Sequence, residues 1–252
     1  MGELDGKVAI VTGGAGGMGQ EIALLFARNG ARVAVADLAP TGEVVERIAG
    51  EGGTAVALEV DVSDSASVQD MVRRTVAELG PLDCAVNGAA IEGEGVMLAD
   101  LDEARFDRII AVNLRSAFLC LKYEIKAILE HGRGGALVNI ASTNSFRPLP
   151  TQTAYTASKH GVIGVTKTAA IEYGPLGIRI NAVAPGATRT PMLLEAIARR
   201  EGDLTETAER LTLPGRFGEP AEVAEAALWL CSDRSSFTYG HVLAVDGGYL
   251  AR

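Results

Sequence analysis

The chain is poor in the residues that build disulfide frameworks and metal centres, with 3 cysteines and 3 histidines among 252 residues. Cys84, Cys120 and Cys231 lie far apart, are odd in number and form no CxxC pair, which predicts buried free thiols in a reducing, cytoplasmic setting. His131, His160 and His241 are equally scattered, so no metal site is expected. No run of Lys or Arg supplies a basic patch, and the formal net charge is -9. An acidic surface repels phosphate backbones, which argues against a nucleic-acid partner. No uninterrupted apolar stretch nears the length needed to span a bilayer, and the start Met1-Gly2-Glu3-Leu4-Asp5-Gly6 has neither a basic n-region nor an apolar h-region. Position 6 is not Ser or Thr, so Gly2 fails the myristoylation pattern. The expectation is a cytoplasmic protein with no membrane partner.

What is present reads as one globular domain spanning 1–252. Hydrophobic residues make up 48% and charged residues 22%, and α/β folds of this length commonly form a single domain. Short β-branched runs at Lys7–Thr12, Arg32–Ala36, Thr54–Glu59, Asp83–Asn87, Ala136–Ile140, Arg179–Val183 and His241–Val245 read as strands. Between them the pattern predicts helices over Gln20–Asn29, Thr41–Gly50, Ser65–Leu79, Glu103–Glu130, Thr153–Tyr173 and Pro220–Ser232, the third capped by Ser63 or Asp64. This alternation predicts a parallel, doubly wound sheet of about seven strands with helices on both faces. The segment at about 187–217 breaks the regularity and reads as a substrate lid, with short helices at Met192–Arg200 and Thr205–Arg210.

The sequence Thr12-Gly13-Gly14-Ala15-Gly16-Gly17-Met18-Gly19 follows the first strand and opens the first helix. Small residues there let backbone approach a pyrophosphate, and a helix N-terminus favours its charge, so the turn predicts dinucleotide binding. Asp37 ends the second strand, where a carboxylate accepts hydrogen bonds from the adenosine-ribose hydroxyls of NAD and repels the 2′-phosphate of NADP. No Lys or Arg stands in the glycine turn to offset that repulsion. Asp61-Val62 is placed to meet the adenine. Asn87, Ser142 and Pro185-Gly186 fall just past the ends of strands four to six, the edge at which open α/β sheets bind ligands.

Tyr155 and Lys159 are four residues apart on a predicted helix and so share a face. A tyrosine with a pKa of about 10 is a poor base at neutral pH. An ammonium about 4 Å away contributes on the order of 4 kcal/mol, roughly three pKa units, which brings a phenolate within reach. Ser142 could hydrogen-bond a substrate oxygen while Tyr155 moves the proton, and Asn113 could anchor a water relaying protons from Lys159. Each has an ordinary alternative: Ser142 as a strand cap, Asn113 as a solvated amide, Tyr155 as packing.

Taken together, TGGAGGMG (12–19), Asp37, DV (61–62), Asn113, Ser142, YTASK (155–159), INAVAPG (180–186), TPM (190–192) and VDGG (245–248) resemble the short-chain dehydrogenase/reductase family almost end to end. The resemblance implies a Rossmann-type fold and a homotetramer. It also implies Tyr155 as general acid/base and Lys159 as its pKa-lowering partner, which also binds the nicotinamide ribose. Ser142 would orient substrate, Asn113 would hold the relay water, and Thr190 would contact the carboxamide. Backbone at Val62, Asn87 and Thr188, with Gly13, Gly17, Met18, Gly19, Pro185 and Gly186, would complete the cleft. One motif departs: Asn87-Gly88-Ala89-Ala90 stands where the family usually has Asn-Asn-Ala-Gly, which puts local rigidity in doubt.

Around the reacting centre the sequence places Phe146, Pro148, Leu149, Met192, Leu193 and Leu194, a set suited to an apolar small-molecule substrate, with Glu94, Arg147, Arg199 and Arg200 also near. The leading expectation is NAD-dependent interconversion of a secondary alcohol, whether a hydrophobic alcohol, a sugar or a hydroxysteroid-like molecule, and its ketone. An NADPH-dependent 3-oxoacyl-thioester reductase and a non-catalytic dinucleotide sensor are the competing readings.

Overall fold

In a computed structural model, which describes residues 2–199 and 202–252, the strand segments form one parallel sheet. The strands are β1 (Val8–Thr12), β2 (Arg32–Asp37), β3 (Thr54–Glu59), β4 (Cys84–Asn87), β5 (Gly135–Ile140), β6 (Ile178–Pro185) and β7 (Val242–Val245), in the order β3-β2-β1-β4-β5-β6-β7. The β1, β4 and β6 strands are buried along their whole length, which is why β1 and β4 read as near-continuous apolar runs rather than alternating ones and why Arg179 and Asn181 of β6 spend their side chains on buried hydrogen bonds. Chain direction away from the centre reverses between β1 and β4, which opens a crevice at their C-terminal ends.

Helices α1 (Gly17–Arg28), α2 (Gly42–Gly50) and α9 (Pro220–Cys231) pack on one face, burying Leu24, Phe26, Val44, Val223 and Leu228 against β1, β2 and β5. On the other face α3 (Ser65–Leu79) and α5 (Ser116–His131) bury Met71, Ile125 and Ile128. Beside them α6 (Thr153–Tyr173) inserts Val162 against β6. Asp64 caps α3 by accepting the Ser67 N–H at 2.8 Å, which selects it over Ser63. Trp229, beside buried Leu228, packs on the first of these cores.

Three elements differ from the sequence expectation in ways that bear on the site. Helix α1 begins at Gly17 rather than Gln20, because the glycine turn supplies its first turn. Strand β6 runs on to Pro185, paired with Val245, so Pro185 ends the strand and Gly186 is the first residue beyond it. The expected helix over Glu103–Glu130 is α4 (Glu103–Ile110), a π-helical turn (Ala111–Arg115) and α5. The lid carries α7 (Pro191–Ala198) and α8 (Leu204–Leu211); Arg200 lies outside the described residues.

Candidate active site

The glycine turn is shaped to take a phosphate group. Gly13 has φ +77, a Cβ on Gly14 would lie 2.5 Å from Val35 Cγ1, and one on Gly19 would collide with the Gly13 carbonyl. Met18 packs against the core and fixes the turn from behind. No side chain caps α1 and no acidic residue occupies its first turn, so its leading N–H groups and its dipole are open to an anion. A Cβ on Gly17 would touch Thr190 and Pro191 at 3.4 Å, so the start of the lid closes over the turn.

The adenosine end is equally prepared. The Asp37 carboxylate accepts from Ala15 N at 3.1 Å and Ala39 N at 3.0 Å, which holds it beside the glycine turn with lone pairs to spare. Asp61 accepts from the Ser63 hydroxyl and backbone N–H, at 2.6 and 2.9 Å, and these bonds hold its carboxyl below the usual range. Val62 is buried beside it. A turn with no room for a side chain at Gly13, Gly14 or Gly19, an uncapped helix start and an anchored carboxylate fit a dinucleotide.

Ser142, Tyr155 and Lys159 converge at the ends of β5 and α6. Ser142 Oγ accepts from Asn144 N at 3.1 Å, which leaves its hydroxyl hydrogen free to donate into the site. Tyr155 stands in the first turn of α6 and Lys159 one turn later, its Nζ 5.7 Å from the Tyr155 ring centre. The buried Lys159 ammonium donates to the Ile140 carbonyl at 2.8 Å.

The electrostatics correct the simple ammonium argument. Burial pushes the Tyr155 phenol above its ordinary value, and the Ser142 hydroxyl pulls it back only in part. Burial also brings the Lys159 ammonium down to about 8. Desolvation is the larger influence on both groups in the protein alone.

The Asn113 side-chain amide is held by backbone: Oδ1 accepts from Ile91 N at 2.8 Å and Nδ2 donates to Ile91 O at 2.9 Å. The side chain ties the π turn to the loop after β4 and thereby shapes the wall behind Lys159. A cavity of about 10 Å³ lined by Asn87, Asn113, Ser116 and Lys159 lies there, room for a single water with polar neighbours.

At Asn87-Gly88-Ala89-Ala90 other side chains tie the neighbouring elements together. Asn87 Nδ2 donates to Asn139 Oδ1 at 3.1 Å and to Glu124 Oε2 at 3.0 Å, and Asn139 Nδ2 donates to Thr166 Oγ1 at 2.9 Å. This chain joins β4, β5, α5 and α6. Gly88 N donates to Thr12 Oγ1 at 3.1 Å, and a Cβ at Gly88 would lie 3.0 Å from the Thr12 carbonyl.

Thr188 bridges to Gly218 across the base of the lid and Thr190 caps α7 by accepting from Leu193 N at 3.3 Å. A Cβ on Gly186 would lie 2.7 Å from Asp246 Cα, which is why the β6 edge requires glycine there. Three of the four charged groups expected near substrate make contacts within the protein. Arg199 pairs with Glu92, Arg147 stacks on Tyr249 at 4.9 Å, and Glu94 meets the start of α6. Sequence reading missed the roles of Glu94, Glu124 and Asn139, whose partners lie 27 or more residues away in the chain. Among the described residues no cluster of His, Cys, Asp or Glu could hold a metal ion.

Comparison with known proteins decides the family. A family model described as enoyl-(acyl carrier protein) reductase matches residues 13–250. The chain is 43% identical to a 2,5-dichloro-2,5-cyclohexadiene-1,4-diol dehydrogenase of Sphingobium indicum, over 100% of both chains. It belongs to the short-chain dehydrogenase/reductase family. It is 39% identical to a cyclohexanol dehydrogenase of an Acinetobacter species, covering 99% of this chain and 97% of that one. The crystal structure of levodione reductase superposes with a TM-score of 0.93 at 34% identity, covering 98% of this chain and 99% of that one. The chain is therefore an oxidoreductase of alcohols and ketones that works with a nicotinamide dinucleotide.

Proposed function

We propose that the protein is an NAD-dependent dehydrogenase of alicyclic secondary alcohols, a single catalytic unit over 1–252 with its lid at about 187–217. The observation that carries the substrate side is that Glu94, Arg147 and Arg199 spend their polar groups on protein contacts, which favours an apolar substrate. The names of its relatives, acting on a cyclohexadienediol and on cyclohexanol, point the same way. Asp37 carries the cofactor side: held by Ala15 N and Ala39 N, it accepts ribose hydroxyls and repels a 2′-phosphate.

In this reading Gly13, Gly17, Met18 and Gly19 cradle the pyrophosphate, and Asp37, Asp61 and Val62 hold the adenosine. Asn87, Pro185, Gly186, Thr188 and Thr190 frame the nicotinamide. When bound, the nicotinamide supplies the acceptor for the hydride of the carbinol carbon. Ser142 donates its hydroxyl hydrogen to the substrate oxygen and fixes it opposite Tyr155. Tyr155 takes the hydroxyl proton during oxidation and returns it during reduction. Lys159 orients the cofactor ribose and passes the proton toward the small cavity beside Asn113.

The chain assembles as a cytoplasmic homotetramer. Support comes from apolar side chains left in solvent, Phe118, Ile171 and Phe237, at 50%, 78% and 100% exposure. Beside Ile171 a groove of about 570 Å³ runs past Ala170 and Tyr239. The cysteines are free and buried, and no described helix is long and apolar enough to cross a membrane.

The direct test offers cyclohexanol, carveol, a linear secondary alcohol and a sugar alcohol with NAD or NADP, following absorbance of the reduced nicotinamide. Turnover of the cyclic alcohols with NAD is expected. Preference for the sugar alcohol, or for NADP, overturns the corresponding half of the reading.

A further inference from the structure

Tyr155 occupies the first turn of α6, where backbone N–H groups have no partner within the helix and fraying is easiest. Helix α6 does not cap itself. Gln152 precedes it without a side-chain cap bond, and no acidic residue stands in the first turn. The Gln152 side chain is turned the other way, accepting from Asn144 Nδ2 at 2.7 Å. The cap comes instead from 60 residues upstream: Glu94 Oε1 accepts from Ala154 N at 2.6 Å, and Glu94 Oε2 lies 3.4 Å from Tyr155 N.

The loop around Glu94 is fitted to the same turn. Gly95 N donates to the Thr151 carbonyl at 2.9 Å. A Cβ on Gly93 would lie 3.2 Å from Gln152 Cγ and 3.3 Å from Tyr155 Cβ, so the loop packs closely on both the residue before α6 and the tyrosine. At its start the loop is anchored by the Asn113 amide through Ile91. A carboxylate accepting from first-turn N–H groups satisfies orphan donors and complements the helix dipole.

We propose that Glu94 is a positioning residue for Tyr155, closing the N-terminus of its helix from a separate loop and so holding the phenol at the substrate oxygen. The inference rests on Tyr155 being the acid/base. Proton transfer demands heavy atoms within hydrogen-bond reach, and a displacement of about 1 Å can lower turnover by about 100-fold. Glu94 touches neither substrate nor cofactor in this role, so its loss acts on turnover and not on dinucleotide binding.

The test compares Glu94→Ala, Glu94→Gln and Tyr155→Phe, with cyclohexanol as probe substrate and NAD. Glu94→Ala is expected to lower kcat about 10- to 100-fold, with the NAD dissociation constant unchanged within about twofold. In the absence of cofactor, exchange of the Ala154 and Tyr155 amides is expected to speed up about tenfold. Glu94→Gln keeps a carbonyl acceptor for Ala154 N, and kcat is expected within about threefold of the parent. The proposal is overturned if Glu94→Ala keeps kcat, if Glu94→Gln falls as far as Glu94→Ala, or if amide exchange at Ala154 does not change. Should Glu94→Ala not fold, Glu94→Asp, one methylene short of Ala154 N, takes its place with the same criteria. If Tyr155→Phe retains turnover, the acid/base reading fails instead, and the exchange measurement still judges the cap.

Discussion

Tyr155 sits where burial opposes its ionisation, so as the proposed base it is held protonated, and unable to accept a proton, at low pH. Its raised pKa and the fall of Lys159 to about 8 set a direction. The base form is populated as pH rises, so oxidation should speed up toward alkaline pH while ketone reduction slows. Initial rates in both directions across pH check this, and parallel profiles would contradict it. Tyr155→Phe removes the proton carrier and should lower kcat by about 100- to 10,000-fold, the usual range for general acid–base catalysis. Asp37→Ala should lower kcat/KM for NAD by about 10- to 100-fold, the worth of hydrogen bonds to a charged acceptor, and raise that for NADP. Comparing the two cofactors under identical conditions reads both changes.

At the scale of elements, α5 carries a carboxyl that no catalytic step uses. Glu124 is fully buried and burial pushes it up to about 7 from an ordinary value of 4.5, with Asn87 Nδ2 as a partner. The fold therefore binds this proton more tightly than the unfolded chain does. Stability from this group is full below 4.5 and declines as pH rises toward about 7, by on the order of 3 kcal/mol. Glu124→Gln should flatten that decline, so that its melting temperature gains on the parent between about pH 5 and about pH 8. Equal slopes would show that Glu124 is ionised at little cost. The sequence placed α3, β3 and α6 at their observed boundaries, because each rests on local signals: a cap at Asp64, a β-branched run, and apolar spacing. It missed the π turn, because nothing in Ala-Val-Asn-Leu-Arg shows that the Asn113 amide will leave its helix for the backbone of Ile91.

At the scale of the whole molecule, exposed Phe237 and Ile171 would cost solubility in a monomer. Light scattering should give a mass near four times 26.2 kDa, and Ile171→Glu with Phe237→Asp should lower it. A parent running at one chain's mass would overturn the assembly. The sequence alone determined the parallel sheet, the glycine turn, Asp37 and the Tyr155–Lys159 pair, because each depends on spacing within one element or on the junction of two neighbours. Only the tertiary structure decided that Glu94 closes α6, that Asn139 joins Asn87 to Thr166, and that burial rather than Lys159 dominates the phenol. Those outcomes depend on which distant backbone donors are left without partners and on how much water is excluded, and neither is visible until the chain has folded.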